Sequence, residues 1–277
     1  MARRLMMRIS ETGHQISFAS SPRPISVPSP EAMAQAERPD LSVVVLCYRA
    51  GERARLVAAN IASTLVARGI TNYQLVLVGN YLEGTRDVTP EVVRDIAAHD
   101  SHVACSAVAK LGMMGWDMRT GLDLARGERL AIIDGDGQIL AEDLLRTLLE
   151  LDRGGYDLVK ACRVHRADGL QRKVISLGFN ALFHLLFPGL HVRDVNAKPK
   201  VMTRAAYERL ELESDDWFID AEIMIQARRL GFRIGEVETD FLALTGRRSF
   251  INLRTVLQFL RNLARSRLRE FRRRPTA

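Results

Sequence analysis

The sequence predicts an α/β fold with a largely parallel sheet, and two observations support this prediction. Short β-rich runs alternate with segments of helical spacing from residue 41 to residue 162, which is the pattern of repeated β-α units. One run, residues 130–133, is apolar throughout, as expected for a strand buried on both faces of a parallel sheet. With 277 residues, 47% of them hydrophobic, the chain has enough apolar material for a full core.

The first half of the chain supplies three strands and three helices. Residues 41–48 and 73–78 are rich in β-branched and aromatic residues, so both are predicted strands. Residues 52–68 carry apolar side chains three or four positions apart, which indicates a helix between these strands. A Thr-Pro pair at positions 89 and 90 starts the next helix, because Pro is favoured at the first helical position. A strand at 103–108 and a helix with a glycine-rich entrance at 112–125 follow.

The second half begins with the strand at 130–133, a helix at 141–153 and a strand at 156–162. The rhythm then changes. Residues 174–187 are strongly apolar but too short to span a bilayer, so we expect a helix in the core or at a membrane interface. Residues 214–230 begin with acidic residues and are predicted to continue as a helix, and we expect a final strand or hairpin at 232–241.

The two ends of the chain differ in composition from the middle. Residues 1–40 hold five of the nine prolines and show no periodicity, so we predict a disordered arm. Residues 246–277 contain ten arginines and one acid, and their leucines recur every three or four positions, which predicts a basic amphipathic C-terminal helix. The predicted organisation is therefore an arm at 1–40, a folded domain at 41–245 and the basic helix at 246–277.

The C-terminal segment has a local charge of +9, against +7 for the whole chain, so the rest of the protein is close to neutral. A nucleic-acid-binding face across the domain is therefore not expected. The basic helix has three interpretations, namely packing on the domain, contact with an anionic membrane surface, or binding of a partner or nucleic acid. We expect packing together with membrane contact. Three cysteines without metal-binding spacing favour free thiols in a reducing, cytoplasmic compartment.

The strand at 130–133 ends in an acidic turn, DGDGQ, at residues 134–138. Two carboxylates one residue apart, with glycines between and after them, can place oxygen ligands on one divalent cation. An EF-hand is excluded, because its required Gly and Glu positions hold Ile139 and Leu145. The motif alone leaves a metal site and a plain surface turn equally open. Since ligands of open α/β sheets bind beyond the carboxyl ends of strands, a cation here would suggest a phosphorylated ligand.

The order of these motifs resembles the family 2 glycosyltransferases of the GT-A fold, and within them the dolichyl- or polyprenyl-phosphate hexosyltransferases. The resemblance is carried by the first strand, the DGDGQ turn, the SDDWFIDAEI segment at 214–223 and GRRS at 246–249, and it extends from residue 41 to about residue 262. It implies a Rossmann-like, largely parallel sheet flanked by helices. It also implies metal-dependent transfer of a hexose from a UDP- or GDP-sugar, with inversion at the sugar carbon.

The resemblance implies several groups of site residues. The nucleotide-sugar would be bound by Tyr48, Glu52, Gly79, Asn80, Gly112, Gly115 and Asp134. The metal ion, Mg²⁺ or Mn²⁺, would be bound by Asp134, Asp136 and Gln138. The catalytic residues would be Asp220, Glu222 and Asp136. Phosphate groups would be bound by Arg163, Arg172, Ser176, Arg247, Arg248 and Ser249.

The acceptor decides whether the reaction needs a base. A hydroxyl acceptor needs one, and Asp220 is the residue that the resemblance offers. A lipid phosphate is already anionic, so it needs positioning by arginines such as Arg163 and Arg172 more than deprotonation. For Asp220 and Glu222 a structural alternative remains, which is an acidic first turn stabilised by the helix dipole.

Four functions remain open from the sequence. The favoured one is transfer to a polyprenyl phosphate by an enzyme that is peripheral to the cytoplasmic face of the membrane or depends on a separate membrane-protein partner. The second is transfer to a glycan or small-molecule hydroxyl. The third is nucleotide-sugar binding without turnover, because Gly79 and Asn80 stand where the family has two aspartates. The fourth, nucleic-acid binding through the arginine-rich tail, predicts steeply salt-dependent affinity.

Overall fold

The computed structural model describes residues 38–166, 170–190, 192–241 and 253–272, with side chains described except at 165, 166, 170–176, 241, 253–256, 271 and 272. Seven strands lie in these ranges: β1 (Leu41–Leu46), β2 (Tyr73–Val78), β3 (Val103–Ser106), β4 (Arg129–Asp134), β5 (Leu158–Arg166), β6 (Lys200–Thr203) and β7 (Ile234–Phe241). The helices are α1 (Arg53–Val66), α2 (Thr89–His99), α3 (Met114–Leu124), α4 (Ala141–Gly154), α5 (Leu170–Leu186), α6 (Arg204–Tyr207), α7 (Ile219–Arg229) and α8 (Leu253–Arg272).

The described strands form one sheet in the order β3-β2-β1-β4-β6-β5-β7. Strands β3, β2, β1 and β4 are mutually parallel, and β7 is parallel to β5. Strand β6 runs antiparallel to both of its neighbours, β4 and β5. The prediction of a largely parallel α/β sheet is confirmed. Strand β6 was not predicted, because it has only four residues and follows a polar segment that gives no strand signal.

The two faces of the sheet carry separate hydrophobic cores, because successive strand residues point to opposite sides. On one face Val44 and Ile132 pack with Phe183 of α5 and with residues of α3 and α7. On the other face Val43 and Ile133 pack with residues of α1, α2 and α4. The helices therefore flank the sheet on both sides, with α3, α5 and α7 on the first face and α1, α2 and α4 on the second.

The C-terminal helix α8 packs on the domain along one of its faces. Leu263 is fully buried, and the ring of Phe259 makes edge contacts with Phe179 of α5 and Phe218 at centroid distances of 4.6 and 5.2 Å. Gln258 and Asn262 of α8 donate hydrogen bonds of 2.6 and 2.7 Å to Asp216 Oδ2, in the loop before α7. The helix is thus held by apolar and polar contacts together.

Two predicted segments lie partly outside the described residues. The predicted N-terminal arm is described only from Arg38 onward. In this last part of the arm, Pro39 O accepts a hydrogen bond of 2.9 Å from the backbone N–H of Glu128. The start of the predicted C-terminal segment, up to residue 252, is also outside them. Among the described residues, no helix combines the length and the apolar character needed to cross a bilayer.

Candidate active site

The acidic turn lies at the carboxyl end of β4, beside the end of β1, where Asp134 pairs with Leu46. The backbone N–H of Gly135 donates to Leu46 O at 2.9 Å, and a Cβ on Gly135 would lie 3.0 Å from that oxygen. Gly137 has a φ of +77°, a conformation that favours glycine. Asp136 Oδ1 accepts a hydrogen bond of 3.0 Å from the backbone of Gln138. Both glycines are therefore needed for the sharp turn that places the two carboxylates at the carboxyl end of β4.

A buried lysine reaches the acidic turn from the segment before β6. Lys198 Nζ lies 3.4 Å from Asp134 Oδ1 and donates a hydrogen bond of 2.9 Å to Asp220 Oδ2. Its side chain is only 4% exposed, whereas that of Asp134 is 34% exposed. The ammonium therefore links the end of β4 to the start of α7, and Asp134 lies between this ammonium and solvent.

A second lysine completes the environment of Asp220. Lys200 Nζ donates to Asp220 Oδ1 and, at 2.9 Å, to Ala197 O. Asp220 is only 1% exposed, and Lys200 is fully buried. Both carboxylate oxygens of Asp220 therefore accept hydrogen bonds from ammonium groups.

These contacts decide the protonation of the three groups. Burial acts to raise the pKa of Asp220, but Lys198 and Lys200 outweigh it and hold that pKa below its ordinary value. Burial acts to lower the pKa of Lys198, but Asp134 and Asp220 outweigh it, so that pKa is raised. For Lys200 burial prevails over Asp220 and lowers the pKa to about 8. Near neutral pH the cluster is a carboxylate held by cations, and Asp220 is a weak base.

Glu222, the second acidic residue predicted to be catalytic, is directed at the loop before α7. Its carboxylate accepts hydrogen bonds from the backbone N–H of Glu213 at 3.1 and 3.2 Å and from that of Ser214 at 2.9 Å. It thereby fixes the loop that precedes α7. The structure does not bring Glu222 together with the acidic turn.

Arg163, predicted to bind phosphate, lies on β5 and pairs with Asp194. Its Nε and Nη2 donate to the two carboxylate oxygens at 2.7 and 2.9 Å, which is the two-point geometry that guanidinium and carboxylate groups favour. The two side chains are 15% and 8% exposed. Next to them, Lys160 donates a hydrogen bond of 3.0 Å to Glu236. Arg163–Asp194 and Lys160–Glu236 are thus two largely buried ion pairs of this half of the sheet.

The ends of β1 and β2 are joined by a polar cluster centred on Asn80. Asn80 Oδ1 accepts from Ser106 Oγ at 2.8 Å, and its Nδ2 donates to Asp117 Oδ1 at 3.1 Å. Lys110 Nζ pairs with Asp117 Oδ2 and lies 4.3 Å from the centre of the Tyr48 ring. Burial raises the pKa of Asp117 despite Lys110. Asn80 is therefore buried and holds Asp117, which in turn holds the Lys110 ammonium close to the Tyr48 ring.

The remaining residues predicted to bind the nucleotide-sugar fall into two groups. Glu52 is exposed at the start of α1 and pairs with Arg55 at 3.4 Å. The glycines are close-contact positions: a Cβ on Gly79 would lie 2.7 Å from Val93, and a Cβ on Gly115 would lie 2.2 Å from the backbone oxygen of Ser214. Gly112 is similarly close to the loop before α7. Gly112 and Gly115 let α3 and its loop approach the backbone before α7, and Gly79 makes room for α2 at the end of β2.

The side chains of five residues that were predicted to bind phosphate are not described. The side chains of Arg172 and Ser176, in the first half of α5, lie outside the described set, and so do Arg247, Arg248 and Ser249. Their roles remain predictions.

The residues of the turn fit a divalent cation of the Mg²⁺ type. Among the described residues, no three His, Cys, Asp or Glu side chains converge on one point. Asp134 and Asp136 nevertheless supply two carboxylates, and Mg²⁺ is commonly bound through one or two carboxylates, with substrate phosphates and water completing its shell. The donor set is thus suited to a cation shared with a diphosphate.

The charged residues that the sequence did not single out are mostly buried lysines and their partners. The sequence pattern assigns no role to Lys198 or Lys200, nor to Lys110, Lys160, Asp117 or Asp194. For Lys198 and Lys200 the available signal is a Lys-Pro-Lys triplet whose last residue begins a short strand, and such a triplet is by itself common on exposed loops. Only the burial of these ammonium groups reveals their importance.

Comparisons with known proteins identify a family to which the chain is similar. The model of the family described as "Glycosyl transferase family 2" matches residues 42–210. The glycosyltransferase AglD of Haloferax volcanii is 33% identical over 169 residues, which are 57% of this chain and 26% of AglD. The dolichyl-phosphate beta-glucosyltransferase ALG5A of Trichomonas vaginalis is 24% identical, over 63% of this chain and 55% of that protein. The chain thus spans about a quarter to about half the length of these curated relatives.

Solved structures extend the likeness to the fold. Glucosyl-3-phosphoglycerate synthase from Mycobacterium tuberculosis, crystallised with Mn²⁺, UDP-glucose and phosphoglyceric acid, superposes with a TM-score of 0.60 at 20% identity, over 85% of this chain and 80% of that one. At this identity the likeness shows the fold, which is GT-A. Because the family model covers more than half of the chain and includes the DGDGQ turn, the protein belongs to glycosyl transferase family 2.

Proposed function

We propose that this protein transfers a hexose from a nucleoside diphosphate sugar to a polyprenyl phosphate at a membrane surface, with Mg²⁺ or Mn²⁺ bound at the DGDGQ turn. The observation that carries the proposal is the burial of Asp220 between Lys198 and Lys200. This arrangement suits an acceptor that is already anionic.

The argument rests on what a hydroxyl acceptor would need. A hydroxyl group loses its proton during transfer, so a carboxylate base must reach the acceptor and accept that proton. Asp220 is buried, both of its oxygens accept from ammonium groups, and its pKa is lowered. Glu222 accepts hydrogen bonds from backbone groups of the loop before α7. The predicted base, Asp220, and the other predicted catalytic carboxylate of α7, Glu222, thus both accept hydrogen bonds from the protein itself, whereas a phosphate acceptor attacks without losing a proton.

On the donor side, Asp134, Asp136 and Gln138 would hold the cation. When bound, a divalent cation there neutralises negative charge on the departing diphosphate. The Tyr48 ring, supported by Lys110 at 4.3 Å, lies beyond β1 and is the proposed wall of the nucleotide pocket. The Asn80–Asp117 hydrogen bond of 3.1 Å fixes Lys110 in place, so Asn80 acts on the nucleotide through this support.

On the acceptor side, two neighbouring helices present leucines to solvent. In α5, Leu177 and Leu185 are 73% and 77% exposed, and in α8, Leu257 and Leu268 are 58% and 59% exposed. Arg261 and Arg265 of α8 are also exposed. Each arginine close to an anionic leaflet contributes about 1 kcal/mol, so several give reversible attachment. We propose that these helices lie on an anionic membrane and bring the turn close to a lipid phosphate.

The name of one relative supports this acceptor class. ALG5A of Trichomonas vaginalis is named a dolichyl-phosphate beta-glucosyltransferase. Its matched region includes more than half of this chain, so the name favours a polyprenyl phosphate over other anionic acceptors.

The experiment that tests the acceptor compares a polyprenyl phosphate with the corresponding polyprenol. Purified protein is incubated with radiolabelled UDP- or GDP-hexose and Mn²⁺ or Mg²⁺, and label is measured in the organic phase. We expect label only with the phosphate. Transfer to the alcohol or to a glycan, with the phosphate ignored, would favour the hydroxyl acceptor. Metal-dependent nucleotide binding without any product would favour a binding protein.

The membrane contact is tested separately by flotation with vesicles of neutral and anionic lipid. Leu257→Gln and Leu260→Gln together remove two exposed leucines of α8, and we expect weaker binding to anionic vesicles with unchanged thermal unfolding. Leu56→Gln is the matched control, because Leu56 is 66% exposed on α1, away from these helices. Equal flotation of all three proteins would contradict the proposed surface.

A further inference from the structure

Lys198 stands out because its ammonium lies against a residue that would bind the metal. It is 3.4 Å from Asp134 Oδ1, and its side chain is 4% exposed. Lys200, two residues later, contacts Asp220 and Ala197 O instead. The two buried lysines therefore share Asp220 but differ in their relation to the acidic turn.

The position of Lys198 is fixed by its surroundings. Its Nζ also lies 3.5 Å from the sulfur of Met114, and the segment before it is closed by a hydrogen bond of 3.2 Å from Ala197 N to Asp194 O. After it, Lys200 enters β6 and pairs with Ile132 of β4. The backbone is thus held on both sides of Lys198, and its buried ammonium is in contact with Asp134, Asp220 and Met114.

A fixed ammonium changes the charge that a divalent cation meets. Asp134 and Asp136 together carry two negative charges, and the Lys198 ammonium cancels about one of them at close range. A cation at the turn would meet this positive charge at short distance, in a partly buried place where water screens it poorly. A nucleoside diphosphate would restore the missing negative charge.

We propose that Lys198 is a resident counter-cation of Asp134 that keeps the affinity of the empty site for a divalent cation low, so that the cation and the nucleoside diphosphate bind cooperatively. This inference rests on the metal site of the proposed function. It assigns Lys198 a positioning role at the donor site, in addition to its contact with Asp220. The linkage is reciprocal, so the cation tightens nucleotide binding by the same factor.

The test measures Mn²⁺ binding by electron paramagnetic resonance, without sugar donor or acceptor. The full chain is compared with Lys198→Met, which removes the charge at similar size, and with Lys200→Met as the matched control. We expect Lys198→Met to bind Mn²⁺ alone about tenfold more tightly than wild type, as follows from removing a like charge close to the site. We expect Lys200→Met to change Mn²⁺ affinity much less.

The titration is then repeated with UDP. In wild type UDP should tighten Mn²⁺ binding strongly, and in Lys198→Met this tightening should be reduced. Lys198→Gln, which keeps a hydrogen-bond donor toward Asp220, provides a second neutral variant, and circular dichroism establishes that each variant is folded.

Two outcomes overturn the inference in distinguishable ways. Equal Mn²⁺ affinity in wild type, Lys198→Met and Lys198→Gln would overturn the role of Lys198 and leave the metal site of the proposed function intact. Absence of Mn²⁺ binding in every variant, with and without UDP, would overturn the proposed metal site together with the inference.

Discussion

Asp220→Asn provides a sharp test of the role of Asp220, because a structural ion and a general base respond differently. The substitution keeps the size of the side chain but removes the carboxylate that two buried ammonium groups share, so that Lys200 loses its anionic partner and Lys198 keeps only Asp134. Removing one partner of a buried charged cluster costs about 3–5 kcal/mol. For a domain of this size each kcal/mol shifts Tm by about 2–4 °C, so we expect Tm to fall by about 6–20 °C.

The assay is thermal unfolding followed by circular dichroism, with Asp123→Asn as the matched control at an exposed carboxylate. We expect the control to remain within about 0.5 kcal/mol of wild type. Lys200→Met added to Asp220→Asn should recover part of the loss, since it removes one unpaired charge. A variant with unchanged Tm and no transfer activity would refute this reasoning and assign Asp220 to proton abstraction.

The same carboxylate predicts a pH dependence of stability. Its folded-state pKa is held below the ordinary value of 3.8, so the folded state binds fewer protons than the unfolded state near that pH. The stabilisation is therefore present above pH 3.8 and is lost as pH falls through the lower, folded-state pKa. Wild type should lose Tm more steeply than Asp220→Asn on acidification, and parallel curves would contradict the lowered pKa.

Three further predictions concern stability, each measured by urea unfolding. Gly115→Ala should lower the free energy of unfolding by about 1–3 kcal/mol, because its Cβ would lie 2.2 Å from a backbone oxygen. Arg163→Lys should lower it by about 1–2 kcal/mol, since lysine cannot make both hydrogen bonds to Asp194. Asn80→Ala should lower it by about 1–3 kcal/mol, because Asp117 loses a buried donor. An unchanged unfolding midpoint would contradict the contact tested in each case.

Much of the fold follows from the sequence because the signals are local. Apolar runs such as that before Asp134 and the periodic leucines of the helices are direct consequences of burial on a sheet or a helix face. Strand β6 escaped prediction because four residues starting with Lys200 offer no periodicity. Its antiparallel direction depends on pairing with β4 and β5, which only the tertiary structure establishes.

The site was predictable where a backbone requirement shaped the residues. The glycines beside Asp134 and Asp136 mark a sharp turn, and that turn lies at the carboxyl end of β4 as expected. The burial of Lys198 beside Asp134 was not predictable, because its sequence context is also typical of an exposed loop. Burial and the distance to Asp134 depend on how β6 and α7 pack, and sequence spacing carries no record of either.

The most direct test of the account is the transfer of label from a nucleotide-hexose to a polyprenyl phosphate by wild type and by Asp136→Asn, with Asp123→Asn as control. The account predicts lipid-linked label with wild type and the control. It predicts a loss of at least about 100-fold with Asp136→Asn, because charge on the departing diphosphate is no longer neutralised. Undiminished transfer by Asp136→Asn would contradict the central claim that the carboxylates at the end of β4 support departure of the diphosphate.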